Sequence, residues 1–257
     1  MSVRSVAMIA SLARAAADPI FVGDPPQEGN MFLRARTEFH GVPKMIFDFT
    51  QLDAPLRYKL LGSTITPRPI AWVSSLDETE VANAAPFSFF NAFGEDPPVV
   101  GFSILSRSMH DRKDTGNNVR ARGEFVVNLV SEETLEQMNV TAIDFGPGVS
   151  EFAEAGLTAS PSIKIRTPRI AESRVALECK VMQIVELGPM RSLVLGEVLA
   201  MHIADDAVLN AERGYIDTPS LRIIGRAGPN SYVQTTQVIK LPSMSVGDWD
   251  ARQKTEA

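Results

Sequence analysis

From Met45 onward the chain is a succession of short β-rich segments separated by turns that contain proline, glycine and acidic residues. Apolar and β-branched runs of this length, bounded by such breakers, are typical of strands. They cover residues 65–75, 81–93, 97–105, 124–130, 173–187 and 192–203. Six or more strands against two or three helices exclude a doubly wound parallel sheet. The sequence therefore predicts a mainly β, α+β fold: a closed antiparallel barrel with peripheral short helices.

Three stretches predict the short helices. Residues 54–61 carry a proline in the first turn, where a missing N–H is harmless. A second helix is expected to begin at Asp114 or Thr115 and to end at Gly123. A third is expected after Ser131, because two glutamates follow this N-cap residue in the first turn, where the helix dipole favours negative charge.

The segments between the predicted strands and helices, and the N-terminal segment, predict the remaining organisation of the chain. Gly188 and Pro189 predict a hairpin between the two longest β segments. The polar connection 142–168 is long enough that we expect it to carry a task or to cover something. Residues 1–44 are expected to be an N-terminal extension of irregular chain, and an arginine at position 14 argues against a secretory signal. Residues 45–257 are expected to form the main domain.

Composition excludes several classes of function. The formal net charge of −6 favours neither nucleic acid nor anionic lipid surfaces as partners. Cys179 is the only cysteine, so an intramolecular disulfide is excluded and a reducing compartment, the cytoplasm, is expected. No run of 18 apolar residues is present, which predicts no membrane-spanning helix.

The common catalytic signatures are absent. The sequence contains no Walker A loop, no GxGxxG, no GxSxG, no HExxH and no CxxC. The three histidines, His40, His110 and His202, lie in unrelated contexts, so no metal site is expected. His202 could face a site from a barrel strand, but a structural histidine with a satisfied hydrogen bond is the better interpretation, and Cys179 is expected in the core.

One loop-to-helix junction suits an anion. The stretch RKDTGNN places basic and hydroxyl side chains where free backbone N–H groups and the helix dipole favour a phosphate. The candidate residues are Arg112, Lys113, Asp114, Thr115 and Asn118. Lys113 would supply charge and Thr115 a hydroxyl donor. The alternative is an ordinary helix N-terminus with a solvated basic cluster.

A second stretch, NAAPFSFFN, suits a flat aromatic ligand. It combines polar side chains with three phenylalanines, and Pro86 interrupts regular strand pairing so that backbone groups can point at a ligand. The polar residues are Asn83, Ser88 and Asn91, and the aromatic ones are Phe87, Phe89 and Phe90. The alternative is that these phenylalanines are core. Nearby, Arg68 stands between two prolines and could pair with phosphate.

Taken in order, these segments resemble the flavin reductase-like family of FMN-binding split barrels. The resemblance covers residues 50–240 and rests on many collinear blocks, among them TPRPIAWVSSLD, NAAPFSFFNAF, KDTGNN, GVSEFAEAGL and LGEVLAMHI. It implies an antiparallel split β-barrel of Greek-key-like topology and a homodimer with the flavin at or near the subunit interface. It also implies FMN as cofactor and NAD(P)H as reductant.

The resemblance also assigns roles to individual residues. It implies that Arg68 and Ser74 lie near the ribityl-phosphate side of FMN. The residues implied to line the flavin ring are Asn83, Ala85, Pro86, Phe87 and Ser88, and those implied to hold the phosphate are Ser103, Lys113 and Thr115. No catalytic side chain is required, because hydride transfer is the chemistry of the flavin and the protein supplies orientation.

The sequence differs from the family pattern at two places, and two other functions remain open. The turn after the first long β segment lacks the glycine often found in the family, and Arg226 and Ala227 replace a glycine pair near Tyr232. The chain could instead be an FMN electron-transfer protein without NAD(P)H oxidation. It could also bind another cofactor, such as haem or a deazaflavin, because split barrels are reused.

Overall fold

The computed structural model describes residues 32–35, 44–146 and 148–256 of the chain. The chain divides into two compact units, with the boundary between Gly62 and Ser63. The first contains the antiparallel pair β1 (Phe32–Ala35) and β2 (Lys44–Phe47). Residues 32–35 were expected to be irregular, and this expectation is corrected: their backbone pairs with β2 in a regular antiparallel register that sets residue 32 opposite residue 47. Residues 1–31 and 36–43 of the predicted extension lie outside the described residues.

The second unit is built on one seven-stranded antiparallel sheet. Its strands are β4 (Ala71–Leu76), β5 (Ala82–Phe87), β6 (Phe90–Glu95), β7 (Pro98–Leu105), β8 (Glu124–Leu129), β11 (Val175–Gly188) and β12 (Arg191–Ile203). Small additional strands are β3 (Arg68–Pro69), β9 (Ala159–Ser160), β10 (Arg169–Ile170), β13 (Val208–Asn210), β14 (Tyr215–Ile216), β15 (Ile224–Arg226) and β16 (Tyr232–Gln234). The helices are α1 (Ala54–Thr64), which begins in the first unit, α2 (Asp114–Arg122), α3 (Leu135–Val140), α4 (Glu151–Glu154) and α5 (Val246–Glu256).

The strand order makes the sheet a split barrel. In the order β5-β4-β8-β11-β12-β7-β6, the two edge strands β5 and β6 are consecutive in the chain, and only two residues separate them. The sheet therefore curls so that its two edges come to one corner, where the Phe87 ring of β5 lies 5.1 Å from the Phe102 ring of β7, the strand next to β6. Non-consecutive strands, β8 beside β4 and β7 beside β12, give the Greek-key character. The predicted mainly antiparallel split barrel with peripheral helices is confirmed.

Two hydrophobic clusters follow from the alternation of side chains along the strands. On β4, Ala71 and Val73 point into the barrel, where Phe102 and Phe125 are fully buried. Trp72 points the other way, into a second cluster beneath α3 and α4. This second cluster attaches the segment 131–157 to the outside of the barrel, and that segment forms one side of the cleft described below.

Several local predictions are confirmed. Helix α2 begins at Asp114 and ends before Gly123, whose φ of 69° is the left-handed conformation that favours glycine. Ser131 and Thr134 form a capping box at the start of a 3₁₀ turn that leads into α3. The hairpin β11–β12 turns at Gly188 and Pro189. Within the described ranges, each helix is too short or too polar to cross a lipid bilayer.

Candidate functional site

A cleft of about 440 Å³, open mouth included, lies where the start of α2, strand β5, the segment 141–144 and helix α4 meet. The lining residues are Asn83, Ala85, Pro86, Phe87, Arg107, Lys113, Asp114, Thr115, Thr141, Ala142, Ile143, Asp144 and Glu151. Seven of them are residues that sequence analysis singled out: the four from β5 and the three at the start of α2.

The start of α2 presents positive charge to the cleft. Lys113 is the N-cap residue with extended backbone (φ −66°, ψ 155°), and no side chain caps the helix. The first-turn N–H groups, beginning with Asp114 and Thr115, have no acceptor within the helix and carry the positive end of its dipole. Among the described residues, Lys113 forms no ion pair. This end of the cleft therefore suits a phosphate.

Strand β5 supplies an apolar wall. Ala85, Pro86 and Phe87 follow one another along the strand beside the cleft, and the Phe87 ring also contacts Phe102 of the barrel core. Phe87 is therefore shared between core and cleft. Both interpretations of the phenylalanine-rich stretch hold for this residue, because one part of the side chain packs inside and another part borders the ligand space.

Beneath the cleft, side chains from four elements form a buried polar network. The Asn83 amide donates from Nδ2 to Glu151 Oε2 at 2.8 Å, and its Oδ1 accepts from Thr115 Oγ1 at 3.0 Å and from Ser75 Oγ at 3.4 Å. Asn118 Nδ2 donates to Ser75 Oγ at 3.1 Å. Asn118 thus lies one hydrogen bond behind the cleft. A saturated buried network of this kind fixes its members rigidly.

Arg107 closes one side of the cleft. Its guanidinium donates to both carboxylate oxygens of Asp144, from Nη2 at 2.7 Å and from Nε at 2.9 and 3.1 Å, and to Asp114 at 3.2 Å. It also donates to the Arg112 carbonyl at 3.1 Å. The Asp144 hydrogen bond raises the pKa of Arg107, and the same bond lowers the pKa of Asp144. Arg107 thereby connects the segment 141–144 to the start of α2.

The remaining predicted residues lie elsewhere. Ser74 points to the opposite face of β4, where its hydroxyl donates to the Pro168 carbonyl at 2.7 Å. Arg68 and Ser103 gather with Arg191 around Phe89: Arg191 donates to Ser103 Oγ at 3.1 Å, and both guanidiniums lie within 6 Å of the ring centroid. Ser88, between β5 and β6, is half-buried and does not line the cleft.

Two other predictions concern residues outside the cleft. His202 Nε2 lies 2.6 Å from Oε1 of the fully buried Glu178, so it is a structural histidine as interpreted. Cys179 is buried in the barrel core, and burial raises its pKa to about 12, which makes it an unreactive thiol. Arg226 donates to Tyr232 Oη at 2.5 Å and to the Gly228 carbonyl at 2.8 Å, so it is held within its own hairpin. No cluster of metal-ligating side chains occurs in the described ranges.

Sequence reasoning did not single out Arg107, Glu151 or the segment 141–144. The 142–168 connection was expected to cover something, and its first residues do line the cleft. Glu151 lies in the block GVSEFAEAGL, which was part of the family resemblance without an assigned role. Arg107 carried no local signal, because its importance comes from partners 7 and 37 residues away.

A split barrel with a basic helix start and an apolar strand at one cleft defines a class of cofactor-binding proteins. Residues 62–218 match the family model of the flavin reductase like domain. The chain belongs to this flavin reductase-like family of FMN-binding split barrels and is a flavin-related oxidoreductase.

Several similar proteins and solved structures cover most of this chain. An uncharacterized protein of Deinococcus radiodurans is 39% identical over 208 residues, which cover 79% of this chain and 91% of the relative. The Pseudomonas fluorescens 2-nitrobenzoate 2-nitroreductase structure is 33% identical with a TM-score of 0.72, covering 78% of this chain and 97% of that one. Component B of the Bacillus cereus nitrilotriacetate monooxygenase is 30% identical with a TM-score of 0.74, covering 78% and 100%.

Proposed function

We propose that the chain binds FMN in this cleft and passes reducing equivalents from NAD(P)H through it. One observation carries the proposal: an uncapped helix start with Lys113 and an apolar strand face, Ala85 to Phe87, border the same space. The uncapped helix start suits a doubly charged phosphate, and the apolar strand face suits an aromatic ring system. When bound, FMN supplies the hydride-accepting chemistry, and the protein supplies orientation.

The hydrogen bonds already made at the start of α2 determine which groups remain to bind a phosphate. The Thr115 hydroxyl donates its proton to Asn83 Oδ1, so the donor that Thr115 offers a phosphate is its backbone N–H. Lys113 then provides the mobile cation, while Arg107 is committed to Asp144 and Asp114. In this proposal Arg107 shapes the cleft, and Lys113 with the first turn of α2 binds the anion.

Replacing Lys113 by alanine tests the site. We expect the Kd for FMN to rise about tenfold or more, because about 1.4 kcal/mol is a factor of ten and a charge-assisted hydrogen bond exceeds this value. Quenching of FMN fluorescence on titration measures it. The matched control is Lys180→Ala, an exposed lysine on β11 away from the cleft, which should leave Kd unchanged. An unaltered Kd in Lys113→Ala would mean that this helix start does not hold the phosphate.

The reductant requires a separate measurement. Anaerobic mixing of the FMN-loaded protein with NADH or NADPH should bleach the flavin absorbance if the protein oxidises the nicotinamide. FMN that binds but is bleached by neither donor would identify an electron-transfer protein instead. A Soret band in the absorbance spectrum of the purified protein would identify haem as the bound cofactor and would overturn the proposal.

We also propose a homodimer that works in the cytoplasm. Support for the dimer comes from an apolar surface on the β6–β7 side of the barrel: Phe93 lies over Gly101 and is 62% exposed, and Leu105 is 46% exposed. Large apolar side chains exposed on neighbouring strands are a feature of many subunit interfaces. Sedimentation equilibrium of the full chain tests this: a monomer mass at micromolar concentration contradicts the dimer.

The single, buried Cys179 is compatible with a reducing compartment.

A further inference from the structure

Glu151 is the only ionisable member of the polar network beneath the cleft. Its carboxylate is buried, with the residue 6% exposed, yet it borders the space assigned to the ligand. Nothing in the proposed hydride chemistry uses it. A buried carboxylate is costly unless it is paired or can become neutral, so its presence at this position calls for a role.

The network links this carboxylate to the anion end of the cleft. Asn83 donates from Nδ2 to Glu151 Oε2 at 2.8 Å and accepts at Oδ1 from the Thr115 hydroxyl at 3.0 Å. A single amide group therefore separates Glu151 from the first turn of α2. Charge placed at that turn acts on Glu151 through a short, water-poor path, where electrostatic interactions are stronger than in bulk water.

No cation neutralises Glu151 in the described part of the chain, because no Lys, Arg or His nitrogen lies within ion-pair distance of it. The ionisable groups around it are Lys113 and Asp114 from α2, Arg107 from the β7–α2 connection, Asp144 from the segment 141–144, and Glu154 on its own helix; β4 and β5 contribute none here. Arg107 is engaged by Asp144 and Asp114. Burial raises the pKa of Glu151; backbone N–H groups oppose this, and the Asp114 charge adds to it.

We propose that the Glu151 carboxylate becomes more protonated, at the expense of solvent, when FMN binds, so that the affinity of the cleft for FMN depends on pH through this residue. The inference rests on the proposed function, since it takes FMN as the ligand. No covalent bond to the ligand forms or breaks. The proton moves from water to the Glu151 carboxylate, and the buried site then holds the FMN anion without a second negative charge behind Asn83.

The direction of the effect follows from linkage. Bound FMN disfavours the charged carboxylate, so the pKa of Glu151 is higher in the complex than in the free protein. Affinity is then greatest at low pH and falls as pH rises from the free to the bound pKa. A difference of one pKa unit gives a fall of about tenfold, and this is the size we expect for a charge one amide group away.

The test compares FMN affinity across pH 5 to 9 in three proteins of full length: the natural chain, Glu151→Gln and Glu154→Gln. Glutamine keeps an oxygen that accepts from Asn83 and cannot titrate. Glu154 is exposed on the same short helix and serves as the matched control. The phosphate of free FMN titrates identically in all three experiments, so a difference in pH dependence between the proteins arises from the substituted residue. Calorimetry of the natural chain in two buffers of different ionisation enthalpy measures proton uptake directly, even if Glu151→Gln folds poorly.

We expect the ratio of Kd between the natural chain and Glu151→Gln to rise about tenfold from low to high pH, with Glu154→Gln following the natural chain. We also expect a net uptake of protons in the calorimeter beyond that of the phosphate. Parallel pH curves for the natural chain and Glu151→Gln, with no extra proton uptake, would overturn the role of Glu151 and leave FMN binding intact. Absence of FMN binding at every pH would overturn the proposed function, and this inference with it.

Discussion

Glu178 offers the sharpest test of how the barrel holds its outer segments. This fully buried carboxylate on β11 accepts from the backbone N–H groups of Ile163 at 2.8 Å and Lys164 at 2.7 Å, and it pairs with His202 at 2.6 Å. Replacing Glu178 by alanine removes all three contacts at once. The strap 160–168 then loses the group that attaches it to β11.

The magnitude follows from the contacts. A hydrogen bond to a charged acceptor contributes about 1.5–3 kcal/mol, and a donor left buried without a partner costs about as much. Ile163 and Lys164 are exposed, so their freed N–H groups can turn to water. We therefore expect Glu178→Ala to lower the free energy of unfolding by about 2–4 kcal/mol, below the sum for three bonds.

The pH dependence has a definite sign. Burial raises the pKa of Glu178, but the two backbone N–H groups and His202 together outweigh it and lower that pKa below its usual value. A lowered folded pKa stabilises the protein above the unfolded pKa of about 4.3, and this stabilisation is lost as pH falls through the folded value. The difference between natural protein and Glu178→Ala should be full at pH 7 and should shrink in acid.

Urea unfolding followed by circular dichroism, at matched FMN occupancy, measures the difference. Glu212→Ala, an exposed glutamate in the turn after β13, is the control and should change stability by no more than about 0.5 kcal/mol. If Glu178→Ala were as stable as this control at pH 7, the carboxylate would not hold the strap, and our account of His202 would fail with it.

Two further predictions concern the two hydrophobic clusters. A Cβ at Gly196 would lie 2.5 Å from Cζ of the fully buried Phe125, so Gly196→Ala should destabilise the barrel by about 1–3 kcal/mol, whereas Gly146→Ala, with open space around it, should be neutral; thermal melts of both variants decide. Trp72 Nε1 donates to Thr141 Oγ1 at 2.8 Å, so Thr141→Val should cost about 1–3 kcal/mol in urea unfolding; an unchanged midpoint would show that this buried bond contributes nothing.

The sequence was sufficient for the architecture because the β segments are long, apolar and bounded by strong breakers. Helix α2 was located to within one residue, since Asp114 and Gly123 are local start and stop signals. Ser74 shows the limit of this reasoning. Its place in a strand was clear, but the face it occupies depends on register, and one step of alternation sets Ser75 rather than Ser74 toward the cleft.

The contributions of Arg107 and Glu151 could not be found in the same way. Each acts through partners that the fold brings near: Asp144 lies 37 residues beyond Arg107, and Asn83 lies 68 residues before Glu151. Local patterns carry no information about such pairs, whereas helix caps and strand alternation are local by nature. The sequence therefore predicted only the two walls of the cleft that are each formed by a single segment, the start of α2 and strand β5.

The two kinds of cleft wall, those formed by one segment and those formed by distant segments, carry different chemical groups. The walls made by single segments, the start of α2 and strand β5, present backbone N–H groups and apolar surface, which suit the shared features of a flavin nucleotide. The walls assembled from distant segments carry the charged side chains Arg107, Asp144 and Glu151. We expect charges at these positions to change affinity and pH response more than they change which cofactor fits. We therefore expect differences between family members in reductant, acceptor and pH range to arise on the assembled walls, and the flavin-binding features that members share to lie on the α2 and β5 walls.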